Sequence, residues 1–274
     1  MLGPVVDPTR RAKAGILHPA RARQRIDLRQ FPPPAPLVGV VDYLWAVTWH
    51  APAPHVQEVI PRPAVQVVAE RVDGVPRLLV DGVMRRPFGR RLVGDDRAVA
   101  VAFRPAGFRP FVDVRVSSLT DRVVPAADVL GDDAGLALHL LDPAVPVEAA
   151  ASALGAWLAE RAPAPDPVAA ELGELVERAE RDPSLTRAEQ LAALAGVTLR
   201  TLQRRFGEYV GVGPKWVVQR CRLLDVAAAA HDDAPVDWAA LAADLGYTDQ
   251  SHLIRAFTAL VGHPPATYRA SSAT

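Results

Sequence analysis

The sequence predicts an α+β protein of more than one domain: a β-rich, sandwich or barrel-like N-terminal domain and an all-α C-terminal domain. Val-rich runs separated by Pro, Gly and Asp clusters fill residues 37–119, which is typical of short antiparallel strands. Residues 191–269 contain two copies of one helix–turn–helix unit. A chain of 274 residues, 50% of them hydrophobic, is long enough for two domains that each bury a core.

Residues 1–30 carry Lys and Arg at seven positions and Asp at two, and predict a basic, flexible N-terminal arm. Such an arm could contact DNA phosphates, but a disordered start of the chain is the favoured interpretation. The proline-rich run 31–36 cannot be helical and leads into the β-rich domain, predicted over residues 31–161 as a sensor or dimerisation domain. Two Val-Asp-Gly triplets, Val72–Gly74 and Val80–Gly82, both predict turns. Helices after residue 120 are expected to close over the sheet, through Val147, Leu154 and Trp157.

No catalytic or metal-binding constellation is evident in the sequence. His50, His55 and Glu58 lie close together, but the two His are separated by a proline-containing run and further ligands are missing, so no metal is expected. There is no glycine-rich phosphate loop and no nucleophile motif. We therefore expect no cofactor and no enzymatic activity. The rival interpretation is an enzyme-like β domain that uses the helical region only for protein contacts.

Residues 162–167, Ala-Pro-Ala-Pro-Asp-Pro, predict a linker to the helical domain at 168–274. A first amphipathic helix is expected to pack beneath the first helix–turn–helix unit. Thr186 and Glu189 have the spacing of a capping box at the start of that unit.

The two copies of the unit match position by position. The matched pairs are Gly196 with Gly246, Leu202 with Leu253, Phe206 with Phe257, Gly211 with Gly262 and Pro214 with Pro265. In a helix–turn–helix the second helix normally enters the DNA major groove, which makes the second helix of each copy a candidate recognition helix. The alternative is that the polar residues of these helices are merely exposed to solvent. The tandem repeat argues against this alternative.

Helical rotation separates a core face from a DNA-facing one in each candidate helix. Thr198 and Asp249 are expected N-caps, and the helix joining the units is expected from Pro214 to about residue 230. Arg can bond guanine in a bidentate manner and Gln can do so with adenine. The predicted DNA-binding residues are Arg200, Thr201, Gln203 and Arg204 in the first helix, and Gln250, Ser251, His252, Ile254 and Arg255 in the second.

The net charge of the whole chain is zero, with 31 basic and 31 acidic residues, so a local patch must attract phosphates. Six basic residues against Glu208 alone predict a local charge of 6 − 1 = +5 between positions 200 and 222. They are Arg200, Arg204, Arg205, Lys215, Arg220 and Arg222.

The runs TLRTLQRRFGEYVGVGP, RCRLLDVA and LGYTDQSHLIRAFTALVGHPPATYR closely resemble the DNA-binding domain of AraC/XylS-type bacterial transcription regulators. Val217 departs from that family, which usually has an aromatic residue there. The run from LVGVVDYLWAV to VAFRPAGFRPF is similar, less sharply, to the cupin-like β-rich domain that precedes such regions. The resemblance implies sequence-specific binding of promoter DNA. It leaves open whether RNA polymerase, a small-molecule effector or a second copy of the chain is also a partner. An effector-independent regulator whose β domain only dimerises remains the alternative.

Cys221 is the only cysteine, which rules out an internal disulfide and favours a reducing compartment. It is expected to be a packing residue of the joining helix. No signal peptide and no apolar run of about 18 residues is present, so we expect a cytoplasmic protein without a membrane partner.

Overall fold

The computed structural model describes residues 26–59, 61–131, 135–229 and 237–265. Its strands form one antiparallel sheet in the order β1-β2-β5-β3-β4-β6. The bounds are β1 Ile26–Phe31, β2 Val41–Val59, β3 Gln66–Val72, β4 Val75–Asp81, β5 Phe88–Phe103 and β6 Val123–Pro125. The helices are α1 Ala127–Leu130, α2 Leu136–Leu140, α3 Val147–Ala159, α4 Pro167–Arg181, α5 Ala188–Leu194, α6 Leu199–Tyr209, α7 Pro214–Ala229, α8 Trp238–Asp244 and α9 Gln250–Val261.

Strand β1 corrects the predicted extent of the basic arm. Residues 26–30 were placed in the arm, but they pair along β2 in a ladder that runs from Ile26 opposite Trp49 to Phe31 opposite Leu44. The sequence of β1 alternates apolar and polar residues only at Ile26–Arg29, and position 30 is a polar Gln. This weak pattern did not predict a strand, which forms by pairing with the edge of β2. The rest of the predicted arm, residues 1–25, lies outside the described residues.

The ribbon formed by β2 and β5 folds back over one face of the sheet. Its pairing shifts between Ala51 and His55. Beyond that irregularity Arg90 of β5 donates to Glu70 of β3 at 2.8 Å and also pairs with Asp81 of β4. The ladder places Glu70 nearest residue 98 of β5, and a straight strand would separate residues 90 and 98 by about 26 Å. The contact therefore requires a bent ribbon.

One of the two predicted turns is confirmed. Asp73 and Gly74 have φ angles of 51° and 78° between β3 and β4, as a two-residue hairpin turn with both central residues left-handed requires. The second prediction, at Val80–Gly82, is wrong because β4 continues through Asp81. Arg90 of the overlying ribbon pairs with the Oδ2 atom of that buried carboxylate, so the Asp acts as a strand residue.

Helices α2 and α3 cover the other face of the sheet, as predicted. Leu140 and Leu154 are fully buried and Trp157 nearly so, while Val147 packs against the same core from its edge. Two strand arginines hold the connection between these helices. Arg71 donates to the Leu141 carbonyl at 2.8 Å and Arg97 to the Val145 carbonyl at 2.6 Å.

The hydrophobic core does not divide at the predicted linker. A single cluster of buried side chains extends from Leu37 in the N-terminal region through Leu172 of α4 and Phe206 of α6 to Cys221 of α7. A second, smaller cluster lies in the last two helices and the end of α7, and includes Leu253 and Phe257. The first helix–turn–helix unit is therefore packed into the N-terminal region, and the second unit has its own core. Trp216 packs against both clusters.

The start of α5 differs by one residue from the predicted capping box. Residue Arg187 precedes the helix, and Gln190 replaces Glu189 as the partner. The Gln190 side-chain oxygen accepts from the backbone amides of Thr186 and Arg187, both at 2.9 Å. The amide side chain also donates to the Ser184 carbonyl, a bond that a carboxylate could not make.

Candidate nucleic-acid interface

The two helix–turn–helix units have the same backbone geometry in their turns. Gly196 has a φ of 62° and Gly246 a φ of 75°, a left-handed conformation that favours glycine. The amide of each glycine donates to a carbonyl three residues earlier, Ala193 in the first unit and Ala243 in the second. The repeat that the sequence predicted is thus a repeat of structure.

Helix α6 presents a free polar face. Thr198 caps it by accepting from the Thr201 amide at 3.2 Å, as predicted. Leu202 and Phe206 on its inner face are fully buried. A rotation of about 100° per residue leaves the opposite face to solvent. Arg200, Gln203 and Arg204 are exposed there, and none of the three side chains forms a hydrogen bond or ion pair with the described residues.

Thr201 lies at the edge of this face. It is partly buried, and its hydroxyl lies 3.0 Å from the Thr198 hydroxyl. The side chain is therefore engaged in the cap of α6, and a contact between Thr201 and DNA stays a prediction.

Helix α9 is built in the same way. Asp249 caps it by accepting from the His252 amide at 2.7 Å, and Leu253 and Phe257 are fully buried. Gln250, Ser251 and Arg255 are exposed on the other side. Ile254 is only partly exposed, so of the five predicted residues in this helix it is the least accessible to a ligand.

His252 is exposed but is held by its neighbours. Its ring packs edge-on against Tyr247, with centroids 5.3 Å apart, and its Nδ1 atom lies 3.4 Å from the Thr248 hydroxyl. Burial raises the pKa of Tyr247 to about 12, so the phenol stays protonated and uncharged at neutral pH. These contacts orient the His252 ring at the start of α9.

The formal local charge of +5 is not all available to DNA, because half of these cations are engaged with other parts of the protein. Arg205 pairs with Glu171 of α4 at 3.5 Å. Arg220 is 5% exposed and donates to the Pro61 carbonyl, and Arg222 is 1% exposed and donates to the Ala179 carbonyl. Sequence spacing could not reveal this, since the acceptors lie 34 to 159 positions away. The exposed cations of this stretch are Arg200, Arg204 and Lys215, and Arg255 adds one from the second unit.

Cys221 is buried in α7, as predicted. Burial raises the pKa of its thiol to about 11, which keeps it protonated. Val217, the departure from the family pattern, is fully buried in the main core. A small β-branched side chain fills this position without opening a site at the surface.

A concave surface also lies outside the two helical units. A cavity of about 650 Å³ lies between the end of β1 and α3, and its walls are mostly apolar. The residues lining it are Phe31, Pro32, Pro33, Pro34, Leu44, Ala151, Ser152, Ala156, Ala159 and Glu160. Among the side chains that the structure describes, no group of three His, Cys, Asp or Glu could hold a metal ion. None of the helices in those parts of the chain is long and apolar enough to cross a membrane.

Both regions of the chain are similar to known protein families. Residues 191–271 match a family model described as a helix-turn-helix domain, and residues 29–125 match a domain of unknown function, DUF6597. A protein of Streptomyces lividans named as an AraC-like transcription regulator is 35% identical over 135 residues. One of Streptomyces antibioticus with the same name is 37% identical over 136 residues. Each match spans 49% of this chain but only 40% of the relative.

The crystal structure of ToxT from Vibrio cholerae is also similar, at 7% identity, over 90% of this chain and 98% of that one, with a TM-score of 0.39. A score this low supports no argument about function. The C-terminal region is thus a helix-turn-helix domain.

Proposed function

We propose that this protein is a sequence-specific DNA-binding regulator of transcription, in which α6 and α9 enter two successive major-groove segments of one promoter. The observation that carries the proposal is the duplicated unit, whose two second helices each expose a hydrogen-bonding face. In helix–turn–helix proteins that helix lies in the groove, with its first residues against the base edges. Arg200 and Arg255 stand at corresponding faces of α6 and α9 and are both exposed.

The two helices differ in what they can read. Arg200, Gln203 and Arg204 give α6 three long donors with no partner among the described residues, so this helix supplies most base contacts. Gln250, Ser251, His252 and Arg255 serve the second segment, where contacts to phosphates position more than they specify. Thr201 and Ile254 complete the proposed set at the edges of the two faces. The resulting site is asymmetric, because the two helices carry different side chains.

Selection of binding sites from a random duplex DNA pool tests this function. The wild-type chain should enrich a two-part sequence, and Arg200→Ala should relax preference in one part, with a loss of about 1–3 kcal/mol at the affected base pair. Arg255→Ala should act on the other part. Arg205→Ala is the matched control on α6: its side chain pairs with Glu171, so the selected sequence should not change. Enrichment of no sequence, or an equal effect of all three variants, would refute the proposal.

A small molecule bound to the N-terminal region is the proposed signal. The cavity beside α3 has a volume within the usual range of about 300–1,000 Å³ for small-molecule sites, and its mostly apolar walls suit an apolar ligand. RNA polymerase and a second copy of the chain are the further partners that a regulator of this kind would meet at a promoter.

Thermal-shift screening of small molecules tests the signal. A ligand of the native state should raise the unfolding temperature, and replacement of Ser152 in the cavity wall by Trp should abolish that rise. A rise that survives Ser152→Trp would place the ligand elsewhere. No ligand from a broad screen, together with a stable dimer in solution, would favour the effector-independent alternative.

A further inference from the structure

A short 3-10 turn of the N-terminal region, Val116–Leu119, packs against the C-terminal end of α6. The hydroxyl of Thr120, just after this turn, donates to the Gly211 carbonyl at 2.6 Å. Gly211 has a φ of 92°, and a Cβ atom added there would lie 3.0 Å from Val116 Cγ1. The turn that ends the first helix–turn–helix unit is therefore held directly against the N-terminal region.

Arg109 makes a second contact to the same end of the helix. Its guanidinium lies 3.5 Å from a carboxylate oxygen of Glu208 and 5.7 Å from the ring centroid of Tyr209. Another of its nitrogens donates to the Val112 carbonyl at 2.5 Å, which fixes the arginine on its own segment. Arg109 thus connects the last turn of α6 to the segment before the 3-10 turn.

The supporting helix α4 is held by the same part of the N-terminal region. Arg104 forms an ion pair with Glu177, and a Cβ added to Gly173 would lie 3.0 Å from the Pro105 carbonyl oxygen. Because α4 packs beneath α6, this contact restricts rotation of the whole first unit.

The second unit has a hydrophobic core of its own. Its buried residues form a separate cluster, connected to the first through α7 and Trp216. At Gly262 of this unit, an added Cβ would lie 3.8 Å from Pro87 of the N-terminal region. That separation is an ordinary van der Waals contact. Helix α9 packs against α8 and the end of α7 within this separate core.

From this asymmetry we infer that Arg109 and Thr120 are positioning residues for DNA reading, so that the N-terminal region is a structural part of the unit that reads the first DNA segment. The inference rests on the proposed function. Helix α6 has 11 residues and is about 16 Å long, and its anchored end lies opposite the end that carries Arg200. A tilt of about 5° at Gly211 would move Arg200 by roughly 1.4 Å over that length, enough to break a bidentate contact to a base. Helix α9 would keep its place.

Thr120→Val in the full chain tests the inference, with Thr120→Ser as the matched control. Valine keeps the size of the side chain but removes the hydroxyl that donates to Gly211, and serine keeps the hydroxyl. In selection from random duplex DNA, Thr120→Val should lower base discrimination about tenfold in the part of the site assigned by Arg200→Ala. The part assigned by Arg255→Ala should be unchanged, and Thr120→Ser should resemble the wild type.

A general loss of stability would give a different result. It lowers the fraction of active protein and leaves the base preference of the remainder intact in both parts of the site. The inference is overturned if Thr120→Val lowers base discrimination equally in both parts of the site, or in neither part. If Thr120→Val does not fold, Arg109→Lys, which keeps the charge but loses the planar group over Tyr209, is judged by the same criterion. A wild-type chain that selects no sequence refutes the proposed function itself. A two-part site that Thr120→Val still reads in full refutes only the positioning role.

Discussion

Truncation of the two matched phenylalanines should have different consequences, because one lies in the main core and the other in the smaller cluster. Phe206 of α6 and Phe257 of α9 occupy the same place in the repeat, and both are fully buried. Phe206 shares its cluster with the sheet and with helices of both regions. Among the described residues, Phe257 shares its cluster with α8, the turn after it, α9 and the adjoining part of α7.

The cost of each truncation is set by burial. Replacing a fully buried Phe by Ala costs about 3–5 kcal/mol, from lost transfer free energy and the cavity left behind. In the main core this loss is spread over a large cooperative unit, so Phe206→Ala should lower the midpoint of the principal unfolding transition. In the described part of the chain the second cluster has seven buried residues, and a loss of this size is comparable to the whole stability of so small a unit. Phe257→Ala should therefore unfold α8 and α9 while the rest of the chain stays native.

Amide hydrogen exchange followed by mass spectrometry distinguishes these outcomes. In Phe257→Ala, exchange in residues 238–261 should accelerate by roughly two to four orders of magnitude, as a loss of about 3–5 kcal/mol implies, while the sheet stays protected. In Phe206→Ala, protection should fall in the sheet and in α4 to α7 together. If both variants loosened the same residues, the assignment of the two units to separate cores would be refuted.

Three further predictions follow from the same geometry. Asp249→Ala removes the cap that accepts from the His252 amide, so it should cost about 1 kcal/mol, seen as a lower unfolding midpoint of the second unit. Lys215→Ala should reduce the slope of log K against log salt in DNA binding by about 0.9, because an exposed cation near α6 is lost, without a change in the selected sequence. The Cys221 thiol, with a pKa raised by burial to about 11, should resist alkylation at pH 8 in the native protein and react after unfolding. Since the folded state holds this proton more tightly than the unfolded one, the thiol's contribution to stability is full below about pH 9 and is lost as pH rises toward 11.

Local features of the two helical units could be predicted from the sequence because their causes lie within a few residues. The caps by Thr198 and Asp249 depend on the next three amides, and the left-handed turns depend on Gly196 and Gly246. The buried faces follow from helical spacing. The exposed faces follow from the same rotation, which is why the predicted DNA-binding residues lie mostly at the surface.

Features that depend on distant partners could not be predicted. Arg222 reads as a cation available to DNA, but a carbonyl 43 positions away binds it in the core. The sequence around Asp81 predicted a turn, but in the structure Asp81 ends a strand and pairs with Arg90 of the overlying ribbon. The contact between Thr120 and Gly211 joins residues 91 positions apart, and neither residue type identifies the other. For the same reason the sequence suggested a clean linker, whereas the core continues across it.

Chemical footprinting of the wild-type chain on its selected DNA site tests the central claim most directly. Two recognition helices on one duplex should protect two major-groove segments on the same face, with centres about 10–10.5 base pairs apart. Arg200→Ala should weaken protection of one segment and Arg255→Ala that of the other. Protection of a single segment, or of two segments on opposite faces of the duplex, would contradict the account.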